Sequence, residues 1–456
     1  MHALIAALVL APFSQQSAYP VYETDKISPA EHRQRREKLM RQMAPGTLAV
    51  FFTNPERNRN NDVDFQFRAD SDFLYLTGFE EPNAALVLIP DGVNLDGQTV
   101  REVLFVNEGS EMSITWLGYR MGPANVVKLL GIQAGRSNAE FAAVLALLGQ
   151  SAPKKAVSMQ MPPDPSGGIA RMIKETETWR ESAGFAKGGS LRGALSTMRG
   201  VKSPAEIAML KKVSEITARA HSEAMRSAEP NMREWEIGAL VKYIFAKEGC
   251  EYEGYPPICG SGPNSTILHY NTNRRVMKAG DVMCMDTAGE YHGYSADVTR
   301  SYPISGKWSK EQRAIYNVLL AAQNAGIAAC RPGVTTGAVG QAVSDSLAKG
   351  MIALGIIKEP SELRRYYMHG FGHGIGLDVH DPMPRTLEAG VTLSVEPGIY
   401  IKEGSPTDKK WWNIGIRIED SILVTTGSPI NLSAGAPRDP DAIERLMAEK
   451  GLGNIK

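Results

Sequence analysis

The segment DVMCMDTAGEYHGYSADVTRSY, Asp281–Tyr302, joins an apolar run, Val282–Met285, to a second strand-like run, Ser295–Tyr302. Asp286 closes the first run and Asp297 lies within the second. Gly289 and Gly293 punctuate the residues between them, so the pattern predicts a hairpin that returns the second aspartate beside the first. Two carboxylates at that distance repel, and at neutral pH such a pair shares a proton or holds a cation.

Three later places add to the pair. His369–Asp381 reads HGFGHGIGLDVHD and holds three of the eight histidines among four glycines. Glycines allow close backbone approach there, whereas a dinucleotide loop would need a βαβ context that is missing. Glu396 in TLSVEPGIY and Glu419 in IGIRIEDSIL each interrupt an apolar strand pattern. A charged carboxylate in such a place is costly unless it is paired or bound to metal. Arg417, two residues before Glu419, would share its face of the strand and is the ordinary candidate for an ion pair. Four carboxylates, one histidine and one nearby arginine leave an excess of negative charge, which two divalent cations would neutralise while polarising a bridging water. A donor set so rich in oxygen favours Mn2+ first, with Zn2+ or Co2+ also compatible.

Outward from these residues, helical periodicity marks Ala205–Ser227, Arg233–Glu248, Lys310–Ala328 and Thr336–Leu354, with Ser203 as cap and Pro204 at the first helical position. Between them Ile267–Tyr270, Thr392–Tyr400 and Gly415–Val424 read as further strands, giving an α+β domain over residues 200–456. The Gly-, Ser- and Pro-punctuated stretch RGVKSPAE, Arg199–Glu206, marks the boundary with an N-terminal α/β domain over residues 29–195. That domain is expected to hold a helix over Pro29–Met43, strands at Thr47–Thr53, Phe73–Thr77, Ala84–Ile89 and Val103–Val106, and a helix over Ser137–Leu148. Ala3–Ala11 is too short to span a membrane but resembles the apolar part of a secretory leader. Residues 1–20 are therefore set aside as a signal segment, which implies export to the periplasm or the medium; without cleavage the protein would be cytoplasmic.

Composition excludes several classes. With 50 basic and 50 acidic residues the formal net charge is +0, so no general attraction draws the 456-residue chain to nucleic acid or anionic lipid. The basic cluster Arg33–Lys38 is interleaved with glutamate and reads as a solvated helix face. The four cysteines form no Cys-x-x-Cys pair and are expected to be buried free thiols. Neither a Gly-x-Ser-x-Gly elbow nor a His-Glu-x-x-His helix occurs.

Taken in order, Asp286, Asp297, His373, Glu396 and Glu419 resemble the Asp-Asp-His-Glu-Glu metal set of the pita-bread metallopeptidases, most closely the aminopeptidase P (Xaa-Pro aminopeptidase) family. KSPAEI, ILHY, MHGFGHGIGLDVHD, VEPGIY and GIRIED follow the family order, and FRADSDFLYLTGFEEPNAAL, Phe67–Leu86, is similar to its accessory domain. The resemblance implies an accessory domain followed by a pita-bread (creatinase/aminopeptidase-like) catalytic domain. It implies that Asp286 binds one metal, that His373 and Glu396 bind a second, and that Asp297 and Glu419 bridge both. His269 and His380 would then bind substrate and stabilise the tetrahedral intermediate, with His369, Tyr400 and Arg417 lining a proline pocket. The implied reaction is attack by a metal-bridging hydroxide on the bond before a proline at position two, with Glu396 moving the proton. Partners would be peptides with that proline and other copies of the chain, as a dimer or tetramer; neither nucleic acid nor stable membrane insertion is expected. A prolidase acting on dipeptides, a metal-free creatinase-like hydrolase and a non-catalytic peptide-binding module are the alternatives on the same fold.

Overall fold

The computed structural model describes residues 19–151 and 156–454. Ala3–Ala11, the expected leader core, lies outside the described residues. Two compact units make up the chain, Met1–Ser190 and Leu191–Lys456. Among the described residues no helix is long and apolar enough to cross a membrane.

The first unit opens with α1 (Pro29–Met40), capped by the Ser28 hydroxyl, which accepts from Glu31 N at 3.3 Å. Its sheet has six strands, β1 (Thr47–Phe52), β2 (Ala85–Leu95), β3 (Gln98–Val106), β4 (Ala134–Ser137), β5 (Ala156–Gln160) and β6 (Ala186–Lys187), in the order β4-β3-β2-β1-β5-β6. β1 runs antiparallel to β2 and parallel to β5, so this is the mixed sheet of an α/β unit. Phe105 packs edge-on to Phe141 at 4.8 Å in its core.

Three local expectations fail here. Phe73–Thr77 is not a strand but belongs to α2 (Ser71–Thr77), because Asp70 accepts from Phe73 N at 3.0 Å and Gly78, at φ +67°, ends the turn. A capping aspartate and a left-handed glycine outweigh the β-propensity of the aromatic run. The helix expected over Ser137–Leu148 starts later: Ser137 ends β4, a 3-10 turn covers Asn138–Glu140, and α3 (Phe141–Ser151) follows. The basic cluster of α1 is only partly a solvated face, because Arg33 and Lys38 are exposed but Arg35 and Arg36 are not. Arg36 is fully buried, with Nε 2.7 Å and Nη2 3.0 Å from the two oxygens of Glu102 and Nη1 2.8 Å from the Leu76 carbonyl. Arg35 and His32 are buried too, with Arg35 over the Tyr75 ring at 4.1 Å.

These placements make two predictions. Glu102→Ala leaves the Arg36 charge buried without its partner and should destabilise the first unit by about 3–5 kcal/mol, whereas replacing both residues by leucine should cost far less; thermal unfolding of the single and double variants checks this. His32 donates from Nδ1 to the Tyr75 carbonyl at 3.0 Å, and burial, with Arg35 and Arg36 adding, pushes its imidazole down to about 3. The unfolded chain binds a proton below about pH 6.5 while the native imidazole stays neutral, so stability falls as pH drops from there towards 3, by about 1.4 kcal/mol per unit. Denaturant titrations at pH 7, 6 and 5 should show a shallower loss for His32→Asn than for the parent.

The second unit is built from α4 (Pro204–Ser227), α5 (Glu234–Lys247), α6 (Lys310–Ala329) and α7 (Thr336–Ala353) around short antiparallel sheets. Ser203 caps α4 with Pro204 at its first position, as the sequence predicts, and Glu206 completes a reciprocal capping box. β8 (Val282–Asp286) lies between β7 (Ile258–Ser261) and β9 (Thr299–Pro303), with Asp286 opposite both Ile258 and Thr299. Downstream, β10 (Thr392–Val395) pairs with β13 (Asp420–Leu423), while β11 (Gly398–Ile401) pairs with β12 (Ile414–Arg417). Met283, Met285, Tyr302, Leu319, Val395, Ile399, Ile416 and Ile422 belong to one buried core.

Two β expectations change in this unit. Ile267–Tyr270 is a turn after the 3-10 segment Gly262–Thr266, so ILHY lies on a loop. The runs Ser295–Tyr302, Thr392–Tyr400 and Gly415–Val424 are each broken in two, at Ala296–Val298, Glu396-Pro397 and Ile418-Glu419. At each break the chain leaves one sheet and enters another. All four cysteines are free and buried.

Candidate active site

The sheet crossings explain why acidic residues sit within apolar strands. Asp286 is the last residue of β8, and Asp297, Glu396 and Glu419 occupy the three breaks. A break interrupts the two-residue alternation, so a side chain there need not point either into the core or to solvent. The register sets the crossings side by side: Val395 faces Asp420 and Gly398 faces Arg417, so Glu396-Pro397 lies across from Ile418-Glu419.

His373 enters from the glycine-rich loop. Its backbone N donates to Ser394 Oγ at 3.1 Å and its carbonyl accepts from Ser394 N at 2.8 Å. A Cβ on Gly372 would overlap the Ser394 carbonyl oxygen, which is why glycine precedes the histidine. Nε2 of His373 then lies 3.3 Å from Asp297 Oδ2 and 3.5 Å from Glu396 Oε1. Asp297, His373 and Glu419 each offer a donor atom within 4.8 Å of the others. Asp286 joins through Tyr255, whose hydroxyl is 2.5 Å from Oδ1 of both Asp286 and Asp297.

Electrostatics follow from this crowding. Burial pushes Glu419 well above the usual carboxylate range, with Asp297, Glu396 and Asp286 adding to the shift. Burial likewise raises Asp286, against the opposing pull of Arg417, and raises Glu396 to about 7. His373 moves the other way: burial disfavours its charge, yet the Asp297 hydrogen bond and the charges of Asp297 and Glu396 outweigh it and lift the imidazole to about 9. Glu419 Oε2 accepts from Thr299 Oγ1 at 2.7 Å, while Oε1 is buried and has no hydrogen-bond partner among the described residues. Carboxylates that repel, an imidazole nitrogen facing two of them and a buried oxygen without a partner among the described residues are a donor set that divalent cations fit.

The remaining expected site residues gather around this centre. Arg417 does not pair with Glu419. It reaches Asp286 Oδ2 at 2.5 Å, Thr299 Oγ1 at 2.9 Å and the Tyr400 hydroxyl at 2.9 Å. The strand break between Arg417 and Glu419 removes the shared face that a continuous strand would give them. Tyr400 in turn hydrogen-bonds His369 Nε2 at 2.9 Å, and His369 donates from Nδ1 to the Gly370 carbonyl. Burial, with Arg417 adding, pushes His369 down to about 4, so it is neutral and accepts the Tyr400 proton. His380 stacks on His373 with centroids 3.7 Å apart and planes 16° from parallel. His269 stands exposed on its loop, close enough for its charge to lower the basicity of His369 and His380. Two residues escape a reading of the sequence. Tyr255 and Thr299 link the acids to one another and to Arg417, yet no local motif marks them, because their partners are 31 to 120 residues away.

Comparison with known proteins places this geometry in context. Residues 208–426 match the sequence model of metallopeptidase family M24, and residues 32–157 match that of the aminopeptidase P N-terminal domain. The Xaa-Pro aminopeptidase of Haemophilus influenzae is 35% identical over 441 residues, 92% of this chain and 98% of that one. The chain belongs to metallopeptidase family M24. It is a metal-dependent aminopeptidase with an α/β accessory domain and the pita-bread catalytic fold. Among solved M24 structures, aminopeptidase P from Escherichia coli with the inhibitor Pro-Leu is similar, at TM-score 0.85 and 35% identity over 92% of this chain and 98% of that one. Zinc-substituted E. coli aminopeptidase P in complex with product matches at TM-score 0.84 and 33% identity, with the same coverage of both chains.

Because Gly372 has no room for a side chain, Gly372→Ala should displace His373. The expected outcome is loss of bound metal with little change in far-ultraviolet circular dichroism, read by elemental analysis of the purified variant after metal loading.

Proposed function

We propose that this M24 enzyme removes the N-terminal residue from peptides with proline in second position, and that it holds two divalent cations, Mn2+ by preference. Asp286, Asp297, His373, Glu396 and Glu419 would hold them. The observation that carries this reading is the convergence of Asp297, Glu396 and Glu419 on the His373 imidazole, with Asp286 tied to Asp297 through Tyr255 and the Glu419 Oε1 oxygen buried and without a hydrogen-bond partner among the described residues. Relatives named Xaa-Pro aminopeptidase, matched across both units, support the substrate class. When bound, the cations lower the pKa of a water and polarise the scissile carbonyl.

The chain's own residues complete the chemistry. Glu396, beside both His373 and His369, is placed to take a proton from the attacking water and pass it to the leaving imide nitrogen. His380 and His269 stand at the exposed side, where ring N–H groups can donate to the carbonyl oxygen as it gains charge. Arg417 holds Asp286 and Tyr400 in fixed orientation, and Tyr400 holds His369, so these three form a rigid wall. A proline ring packed on such a wall would be selected by shape, since the Xaa-Pro nitrogen carries no hydrogen to donate.

The test is a peptide panel. Xaa-Pro tripeptides and longer peptides should be cleaved after the first residue, with activity lost to a chelator and restored best by Mn2+. Turnover of Xaa-Pro dipeptides alone would overturn the reading in favour of a dipeptidase. Asp297→Ala, which removes the acid nearest to His373 Nε2, should lower kcat/KM on the order of 1,000-fold or more.

A further inference from the structure

We infer that Glu234 is a positioning residue for His269, an inference that rests on the substrate-contacting role proposed for that histidine. Glu234 is the first residue of α5, is fully buried, and is neither a donor in the metal cluster nor part of any expected site. Its carboxylate gathers five hydrogen bonds. Oε1 accepts from Ser261 N at 2.9 Å, Ser261 Oγ at 2.8 Å and Asn264 Nδ2 at 3.2 Å. Oε2 accepts from the Tyr270 hydroxyl at 2.8 Å and from Arg275 N at 2.9 Å. Its own backbone N donates to the Arg275 carbonyl at 3.1 Å.

These donors come from both ends of one loop. Ser261 and Asn264 lie before His269, and Tyr270 and Arg275 after it. A second fastening comes from Asn273, which accepts from Cys259 N at 2.9 Å and donates to the Pro257 carbonyl at 2.7 Å. His269 needs such help. It sits on a turn rather than in a sheet ladder, it is exposed, and no hydrogen bond among the described residues restrains its ring. The neighbouring Tyr270 hydroxyl ties this turn to Glu234, and a charged acceptor makes each bond stronger than a neutral one would be. A buried carboxylate with five donors is therefore a clamp that fixes where an exposed imidazole stands.

The test uses the full chain loaded with Mn2+. Displacing a stabilising group by about 1 Å costs on the order of 100-fold in rate, which is the loss in kcat/KM expected of Glu234→Gln. Because that change disturbs a buried site, Tyr270→Phe serves as the milder variant. It removes one hydroxyl and should lower kcat/KM about 10-fold with metal content unchanged. Amide hydrogen exchange should rise within residues 264–275 only. The deciding arm is a double-mutant cycle: in a His269→Ala background, Tyr270→Phe should have no further effect, because the tyrosine acts through the histidine. Unchanged kcat/KM for Tyr270→Phe, or an equal loss in the His269→Ala background, would overturn the inference. Full activity of His269→Ala itself would instead refute the proposed role of that histidine. Exchange would then decide the clamp alone, with faster exchange confined to residues 264–275 upholding it and unchanged exchange refuting it.

Discussion

Mutual repulsion among Asp286, Asp297, Glu396 and Glu419 is the constraint on which the second unit is organised. Four carboxylates are held together against one imidazole and one guanidinium, and burial disfavours the charge of three of them, Asp286, Glu396 and Glu419. Left to themselves they would drive the strands apart or take up protons. The surrounding structure resists the first outcome by fastening each acid: Tyr255 bonds Asp286 and Asp297 together, Thr299 holds Glu419, Arg417 holds Asp286, and Ser394 Oγ donates to Glu396 Oε1 at 3.4 Å. The pull towards the second shows in Glu396, which burial raises to about 7. Such a site favours cations because they relieve a strain in charge that the polypeptide has built and cannot discharge.

Short sheets make this concentration of acids feasible. A long continuous strand would send alternate residues into the core, and a carboxylate there would be ruinous. Breaking the strands at Asp297, Glu396 and Glu419 lets apolar residues on either side stay buried while the acid turns into a common space. The antiparallel register, Asp286 opposite Thr299 and Val395 opposite Asp420, keeps the crossings adjacent.

Buried charge serves as fastening elsewhere in the same unit. Asp381, next to His380, pairs with Lys202 at 2.9 Å and with Arg199, which ties the glycine-rich loop to the start of α4. Asp420, next to Glu419, is fully buried against Arg300 at 2.6 Å and Gln323 at 3.0 Å. In both cases a structural carboxylate stands one residue from an expected site residue. At Glu419-Asp420 two adjacent acids therefore differ sharply: Asp420 is satisfied and anchors the backbone, while Glu419 Oε1 is buried with no hydrogen-bond partner among the described residues.

Much of this was legible in residue order. The hairpin bearing two aspartates, the histidines among glycines and the glutamates within apolar runs pointed to five candidate donors, and capping signals placed α4 correctly at Ser203 and Pro204. Those features are local, written in propensity, periodicity and the penalty for burying charge. Other features depend on partners far away in the chain. Arg36 is buried by its pairing with Glu102, Phe73–Thr77 is helical because Asp70 and Gly78 close the turn around it, and Arg417 turns to Asp286 rather than Glu419. Residue order thus singled out the candidate groups for the chemistry, because their types and spacing have few other uses. Their pairing, the breaks that aim them and the clamp of Glu234 on the His269 loop came from the folded chain, because contacts between residues dozens of positions apart exist only once the strands have met.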